Sequence, residues 1–321
     1  MSAALLQVQS LRKVFPGKPP VVAVDDISFS LGAGEILGLL GPNGAGKTTT
    51  IQMLLSTLRS TSGSISYFGM DLERHRSEIL KYVGYGSAYA ALVWRLSVEE
   101  NLEIYARLAC VPWRERAQRV TALLERFDAS SFRKKQMSEL SAGQRTRVVL
   151  CKVFVGYPKI ALLDEPTASL DPDVAHEVRA FVKHQRREYG VSMLYTCHNM
   201  AEVEEVCDEV LFLTKGKIIA RDTPQALASS IAGTRVRFTA SGQGEKLLLW
   251  IARHAPGAVV KDEESAEVWT EDEQVPALIE SLIKEGLQFS RLSVERASLE
   301  DFFLQMTKKQ PASPGEAGEA P

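Results

Sequence analysis

Residues 41–50 read GPNGAGKTTT and fit the pattern G-x-x-x-x-G-K-[ST]. Glycine at 41, 44 and 46 lets backbone amides close around phosphate oxygens with no Cβ in the way. Pro42, Asn43 and Ala45 complete the loop, Lys47 can neutralise β and γ oxygens, and the Thr48 hydroxyl can ligate Mg²⁺. Thr49 follows it into the next element. A second set of groups closes the apolar run ALLDEPT at 161–167. Asp164 is placed to hold Mg²⁺ directly or through water, and Glu165 to act as general base toward water or to orient it. His198 ends another apolar run, LYTCH, where it can donate a hydrogen bond to a γ-phosphate; a purely structural histidine is the alternative.

One further segment binds anions in principle. ELSAGQRTRVVL at 139–150 places a serine and a glycine just before a helix-like stripe, and open helix N-termini attract anions. Yet no lysine follows the glycine to hold a phosphate.

The elements that must position these groups can be read around them. EILGLLG at 35–41 is a short, nearly continuous apolar run, as a strand buried on both faces of a parallel sheet reads, and TTTIQMLLSTL after the glycine loop reads as a helix. KIALLDE (159–165) and VSMLYTCH (191–198) are two more such strands. The alternation in LLQVQSL and VVAVDDISFSL predicts an antiparallel cluster within 5–40. Residues 97–130 predict helices, with a capping box of Ser97 and Glu100 and a second start at Pro112. Ser141 is a candidate cap for the helix that follows, and EVLFLTKGKIIA predicts a hairpin turning at Lys215–Gly216. Beyond Ile231 the order strand–helix–strand–strand–helix–strand predicts a ferredoxin-like unit, followed by the short helix SLEDFFLQMTKK. The tail QPASPGEAGEAP has the composition of a disordered segment. The expected division is 5–230, 232–309 and the tail 310–321.

Composition bounds the function. The chain has 321 residues, 45% hydrophobic and 24% charged, with a net charge of −2, which removes a global electrostatic case for nucleic acid. Its four cysteines, at 110, 151, 197 and 207, form no CxxC pair and read as small buried hydrophobes in a reducing compartment. No run approaches the ~18 apolar residues of a membrane span, so the chain is expected to be soluble and to work at a membrane only through a partner.

GPNGAGKTT, LSAGQ, LLDEPTASLD and the histidine of YTCHNMAEVE stand in the order and spacing found in ABC transporter ATPase subunits, which residues 5–230 resemble. The resemblance implies an α/β fold: a P-loop ATPase domain with a parallel core sheet, an antiparallel β subdomain and a helical subdomain. It implies ATP and Mg²⁺ as cofactors and a head-to-tail dimer, most simply a homodimer. Ser141, Gly143 and Gln144 would then serve the γ-phosphate held by the second copy's Lys47. Phe15 in RKVFPG matches the aromatic that stacks on adenine in the family, with a core aromatic as the alternative. Ala168–Asp171 resembles the loop that crosses the dimer interface. RLSVERASLEDFFLQMT and LVWRLSVEENLEIYARL resemble ATPases of drug or antibiotic exporters, which pair with a separate permease. That places the chain in the cytoplasm, against the inner face of the plasma membrane, with a coupling surface near residues 85–110 that includes Tyr89 and Trp94. The C-terminal unit is expected to be a packing or dimer-stabilising appendage or a sensor. One departure stands out: family members carry a glutamine between the third strand and the helical subdomain, and 83–96 contains none. An ABC ATPase of ribosomes or DNA, or a regulatory subunit without efficient hydrolysis, are the rival readings.

Overall fold

The computed structural model describes residues 4–87, 92–168, 170–231, 233–240 and 242–308. Tyr89, Ser169 of the expected crossing loop and the tail 310–321 lie outside the described residues. The chain forms two compact units, Met1–Pro224 and Gln225–Pro321.

In the first unit, Leu6–Phe15 (β1), Val21–Leu31 (β2), Ser62–Tyr67 (β4) and Met70–Asp71 (β5) form an antiparallel sheet in the order β2-β1-β4-β5. Ile36–Leu40 (β3), Val83–Ser87 (β6), Ile160–Asp164 (β7), Ser192–Thr196 (β8), Glu209–Thr214 (β9) and Lys217–Asp222 (β10) form the second sheet, ordered β10-β9-β3-β8-β7-β6. All its pairings are parallel except β9 with β10. Every residue of β3 and β8 is buried, which is why β3 reads as an unbroken apolar run and β8 as a mostly apolar one. The β9–β10 hairpin turns through Lys215 and Gly216, both at positive φ (48° and 78°), as a tight primed turn requires.

The helices of this unit are Lys47–Leu54 (α1), Leu72–Ile79 (α2), Val98–Leu108 (α3), Trp113–Arg126 (α4), Ala142–Phe154 (α5), Pro172–Tyr189 (α6) and Met200–Val206 (α7). Ser97 and Glu100 form the expected capping box on α3, and Pro112 is the N-cap of α4. Between them Cys110, expected buried, is exposed because it lies in the turn after α3, while Cys151, Cys197 and Cys207 are buried. Fully buried Asn101 fixes the chain before α3: its amide group bonds Val93 N and the carbonyls of Val93, Leu96 and Ser97. That loop is also tied to the segment leading into α5, through Met137 N to Leu96 O (3.1 Å) and Ser138 N to Trp94 O (3.3 Å).

The second unit takes up most of the short helix Pro224–Ser229 (α8), then Thr234–Thr239 (β11), Gly244–His254 (α9), Val259–Asp262 (β12), Ser265–Thr270 (β13), Val275–Lys284 (α10), Arg291–Arg296 (β14) and Leu299–Lys308 (α11). Its sheet runs β12-β13-β11-β14 with every neighbour antiparallel, the split βαβ arrangement expected from the element order. One face is covered by apolar residues of α9 and α10, with Val236, Phe238, Trp250 and Leu282 in its core.

Candidate functional site

The C-terminal ends of β3, β7 and β8 lie side by side, the place where open α/β sheets bind ligands. From β3 the chain enters the glycine loop, whose backbone only glycine fits. Gly41 has φ 150°, and a Cβ there would lie 2.1 Å from Leu213 O; Gly46 has φ 106°, with Ala23 O 2.4 Å from such a Cβ. The left-handed Gly46 caps α1 with no side-chain hydrogen bond and no acidic residue in the first turn, so the helix presents its amides and positive end to an outside anion. Pro42 O accepts from Ala45 N (3.1 Å), which closes the loop, while Asn43, Gly44 and Thr48 are exposed and Thr49 half-buried.

Lys47 is buried, and its Nζ donates to Gly41 O (2.7 Å) and Pro42 O (3.2 Å). Burial lowers the pKa of this ammonium, while the negative charges of Glu165 and Asp164 oppose the shift. The glycine loop and the end of β7 therefore share one electrostatic site.

Asp164 and Thr196 face each other in the β7–β8 register. Thr196 Oγ1 donates to Asp164 Oδ1 (2.7 Å) and accepts from Glu165 N (3.0 Å). Glu165 sits at φ 51°, a conformation that costs roughly 1–2 kcal/mol for an L-residue. Its amide, held also by Thr196 O (3.2 Å), helps keep it there. His198 Nε2 lies 2.5 Å from Glu165 Oε1, so the two candidate catalytic groups are in direct contact. Behind them, Thr167 Oγ1 donates to the buried Glu202 carboxylate (2.8 Å), which also accepts from Tyr195 Oη. This bond anchors the segment after Glu165 to α7. Thr196, Thr167 and Glu202 are not legible as site residues in the sequence; only the strand register and the buried face of α7 bring them to it.

Two oxygen donors suit Mg²⁺, which keeps several waters and needs few protein ligands: the exposed Thr48 hydroxyl and the Asp164 carboxylate. Among the described residues no cluster of three or more His, Cys, Asp or Glu could hold a metal. Asp164 is a partly buried, incompletely compensated charge. Burial raises its pKa, the Thr196 hydrogen bond opposes this, Glu165 adds to it, and Lys47 and His198 oppose it. Because the folded pKa lies above the ordinary 3.8, stability is lost as pH rises through the raised value and stays lost at neutral pH. Asp164→Asn should therefore raise the thermal midpoint of the nucleotide-free protein at neutral pH by a few degrees, with the gain fading below the ordinary carboxylate range. Calorimetry across pH checks this; a lower midpoint at neutral pH contradicts it.

The remaining candidates lie elsewhere. Ser141 caps α5, accepting from Gln144 N (3.3 Å), while Gln144 Oε1 accepts from Ser141 N (3.1 Å). The box leaves the amides of Ala142 and Gly143 for an outside acceptor. Nothing nearby demands glycine at 143, since a Cβ would meet only Val174, at 3.7 Å. Phe15 ends β1, is 37% exposed and has Lys13 Nζ 5.1 Å above its ring, so it is not a core aromatic. Trp94 is half exposed, and Arg145 of α5 lies over its ring at 5.3 Å.

The family described as ABC transporter matches residues 24–168. The daunorubicin resistance ATP-binding protein DrrA2 of Streptomyces coeruleorubidus is 32% identical over 295 residues, covering 89% of this chain and 90% of its own. The Nod factor export ATP-binding protein I of Neorhizobium galegae is 30% identical over 305 residues, 95% of this chain and 85% of its own. A solved ATP-binding subunit of an ABC transporter superposes with a TM-score of 0.65 at 26% identity, over 70% of this chain and 92% of that one. The glycine loop after β3, the carboxylate pair at the end of β7 and the histidine after β8 thus sit on a chain that belongs to the ATP-binding proteins of the ABC transporter family.

Proposed function

We propose that the chain is the ATP-hydrolysing subunit of an ABC exporter, acting as a dimer on a separate membrane permease. The contact between Glu165 and His198, beside the glycine loop and the buried Lys47, carries this reading. Backbone amides at the start of α1 and the Lys47 ammonium bind the β and γ oxygens. Glu165 orients the attacking water and takes its proton as the bond between the γ-phosphorus and the β–γ bridging oxygen breaks, and His198 holds the γ-phosphate. Thr48 and Asp164 would hold Mg²⁺, which supplies charge neutralisation at the phosphates. Thr196 keeps Asp164 and Glu165 in register.

The dimer reading is supported by what the N-terminus of α5 lacks. It offers amides and a glycine that its surroundings do not require but has no counterpart of Lys47, its Arg145 lying over the Trp94 ring. A second copy's nucleotide would supply the acceptor. Coupling to a permease is supported by exposed Trp94 and by the hydrogen bonds that join its loop to the approach to α5. No helix of the described residues is long and apolar enough to cross a membrane, so transport needs a partner that does. The names of the relatives, drug resistance and Nod factor export, favour an exporter over an ATPase of ribosomes or DNA.

Ser141→Arg tests the assembly. Both Ser141→Arg and Ser141→Ala lose the cap, at about 1 kcal/mol, and both should bind nucleotide as monomers like the unaltered chain. The arginine variant should lose turnover by roughly two orders of magnitude and the alanine variant less, because only arginine also fills the space a second nucleotide needs. Nucleotide titration and phosphate release separate the two effects. If Ser141→Arg abolishes binding to the monomer, the segment acts within one copy and the dimer reading fails. A wild-type chain without any turnover, with or without its permease, leaves the regulatory-subunit reading instead.

A further inference from the structure

The sheet of the second unit has two edges, and they are built differently. The β12 edge is four residues long, its register slips between Val260 and Asp262, and it carries Lys261. A short length, a bulge and a lysine are devices that keep an edge from pairing with another chain. The β14 edge has none of them. All six of its residues pair with β11 in unbroken register, from Thr234↔Arg296 to Thr239↔Arg291, and RLSVER contains no proline, lysine or glycine.

The charges of this edge, Arg291, Glu295 and Arg296, flank an apolar pair that they leave uncovered. Leu292 and Val294 stand opposite Phe238 and Val236, whose side chains are buried beneath α9 and α10. Leu292 and Val294 are nonetheless 39% and 48% exposed. The apolar stripe of the helix-covered face therefore continues to the last strand and ends uncovered. On the other face, Glu295 lies 3.0 Å from Arg235 Nη2 and 3.7 Å from Arg237 Nη1.

We propose that β14 pairs antiparallel with β14 of a second copy about a two-fold axis at Ser293, joining two four-stranded sheets into one. This register is self-complementary. Leu292 meets Val294 of the second copy on the apolar face, Arg291 meets Glu295 on the charged face, and Ser293 meets itself. Each Arg291 extends the Arg235–Glu295–Arg237 cluster by one cation. A slip of one residue would set Arg291 against Arg296 and Leu292 against Glu295, and of the registers centred on Leu292, Ser293 or Val294 only the one centred on Ser293 sets Arg291 against Glu295. A two-fold contact of this kind closes on itself and stops at the dimer. It needs no nucleotide and involves only the second unit, so it stands or falls separately from an ATP-closed dimer of the first.

The test uses the full chain without nucleotide. Sedimentation should show a reversible dimer, and Leu292→Lys with Val294→Lys should raise its dissociation constant by about tenfold or more. At concentrations where the chain is monomeric, thermal unfolding should change little, because both side chains are partly exposed. A second variant fixes the register: Ser293→Cys with exposed Cys110 replaced by serine. Facing residues of an antiparallel pair have Cα atoms about 4.5–5.5 Å apart, within disulfide range. Oxidation should therefore link Ser293→Cys and leave Arg296→Cys unlinked. A nucleotide-free chain that stays monomeric at high micromolar concentration overturns the proposal. So does a dimer indifferent to the two lysines, or one that links at Arg296→Cys and not at Ser293→Cys.

Discussion

ATP turnover by the Glu165→Gln protein should fall by about 10²–10⁴-fold, the usual worth of a positioned general base. Nucleotide binding should persist, because the substitution leaves Lys47, the glycine loop and Thr196 untouched. Glutamine keeps the shape of the side chain but cannot take a proton from water. It can still accept from His198, so the histidine need not move far. The consequence for assembly is as informative as the rate. With hydrolysis blocked, a complex that requires ATP in both copies has no route to release, so Mg-ATP should convert the variant to a long-lived dimer. Phosphate release measures the first effect and sedimentation the second. Turnover within tenfold of the unaltered chain would remove Glu165 from its role. A variant that binds ATP normally and stays monomeric would remove the split-site dimer.

Short-range signals make much of this site legible in the amino-acid sequence. The runs that form β3, β7 and β8 are apolar at nearly every position because both faces of those strands are covered. The Ser97–Glu100 box and the Lys215–Gly216 turn are local chemistry, and both form where the sequence places them. What the sequence hides depends on register and burial. Thr196 is one more β-branched strand residue until β7 and β8 align it with Asp164. Glu202 lies in MAEVEEV, where it looks like any charge on a solvated helix, yet it is buried and holds Thr167 and Tyr195. Asn101 likewise reads as a surface residue of α3 and is fully buried as the clamp on the Trp94 loop. A buried polar group needs partners distant in sequence, and one-dimensional periodicity carries no record of them. The strands β4 and β5 are hidden for a related reason: SGSISY is half exposed and serine-rich, and its strand state rests on pairing with β1.

Lys47→Met should separate nucleotide binding from folding. The ammonium donates to Gly41 O and Pro42 O, the carbonyls that flank the phosphate cradle, and it is buried with no carboxylate in hydrogen-bonding contact. Burial is the leading cause of its lowered pKa. A lysine whose folded pKa is lowered destabilises the fold at every pH below that value, and the penalty is relieved only as pH rises through it. At neutral pH the empty protein therefore carries an incompletely compensated charge that a triphosphate would neutralise. Methionine fills a similar volume without the charge, so the nucleotide-free variant should unfold at the same temperature as the unaltered chain or higher. Affinity should move the other way. A hydrogen bond to a charged group is worth about 1.5–3 kcal/mol, so removing one such bond to the β or γ oxygens should weaken ATP binding by roughly 10- to 100-fold. ADP should lose less than ATP, because it has no γ-phosphate to miss. Calorimetric titration with both nucleotides, beside thermal unfolding without either, reads the two effects independently. Unchanged ATP affinity would take Lys47 out of the phosphate site, and a lower unfolding temperature would show that its two carbonyl hydrogen bonds outweigh the cost of burying the charge.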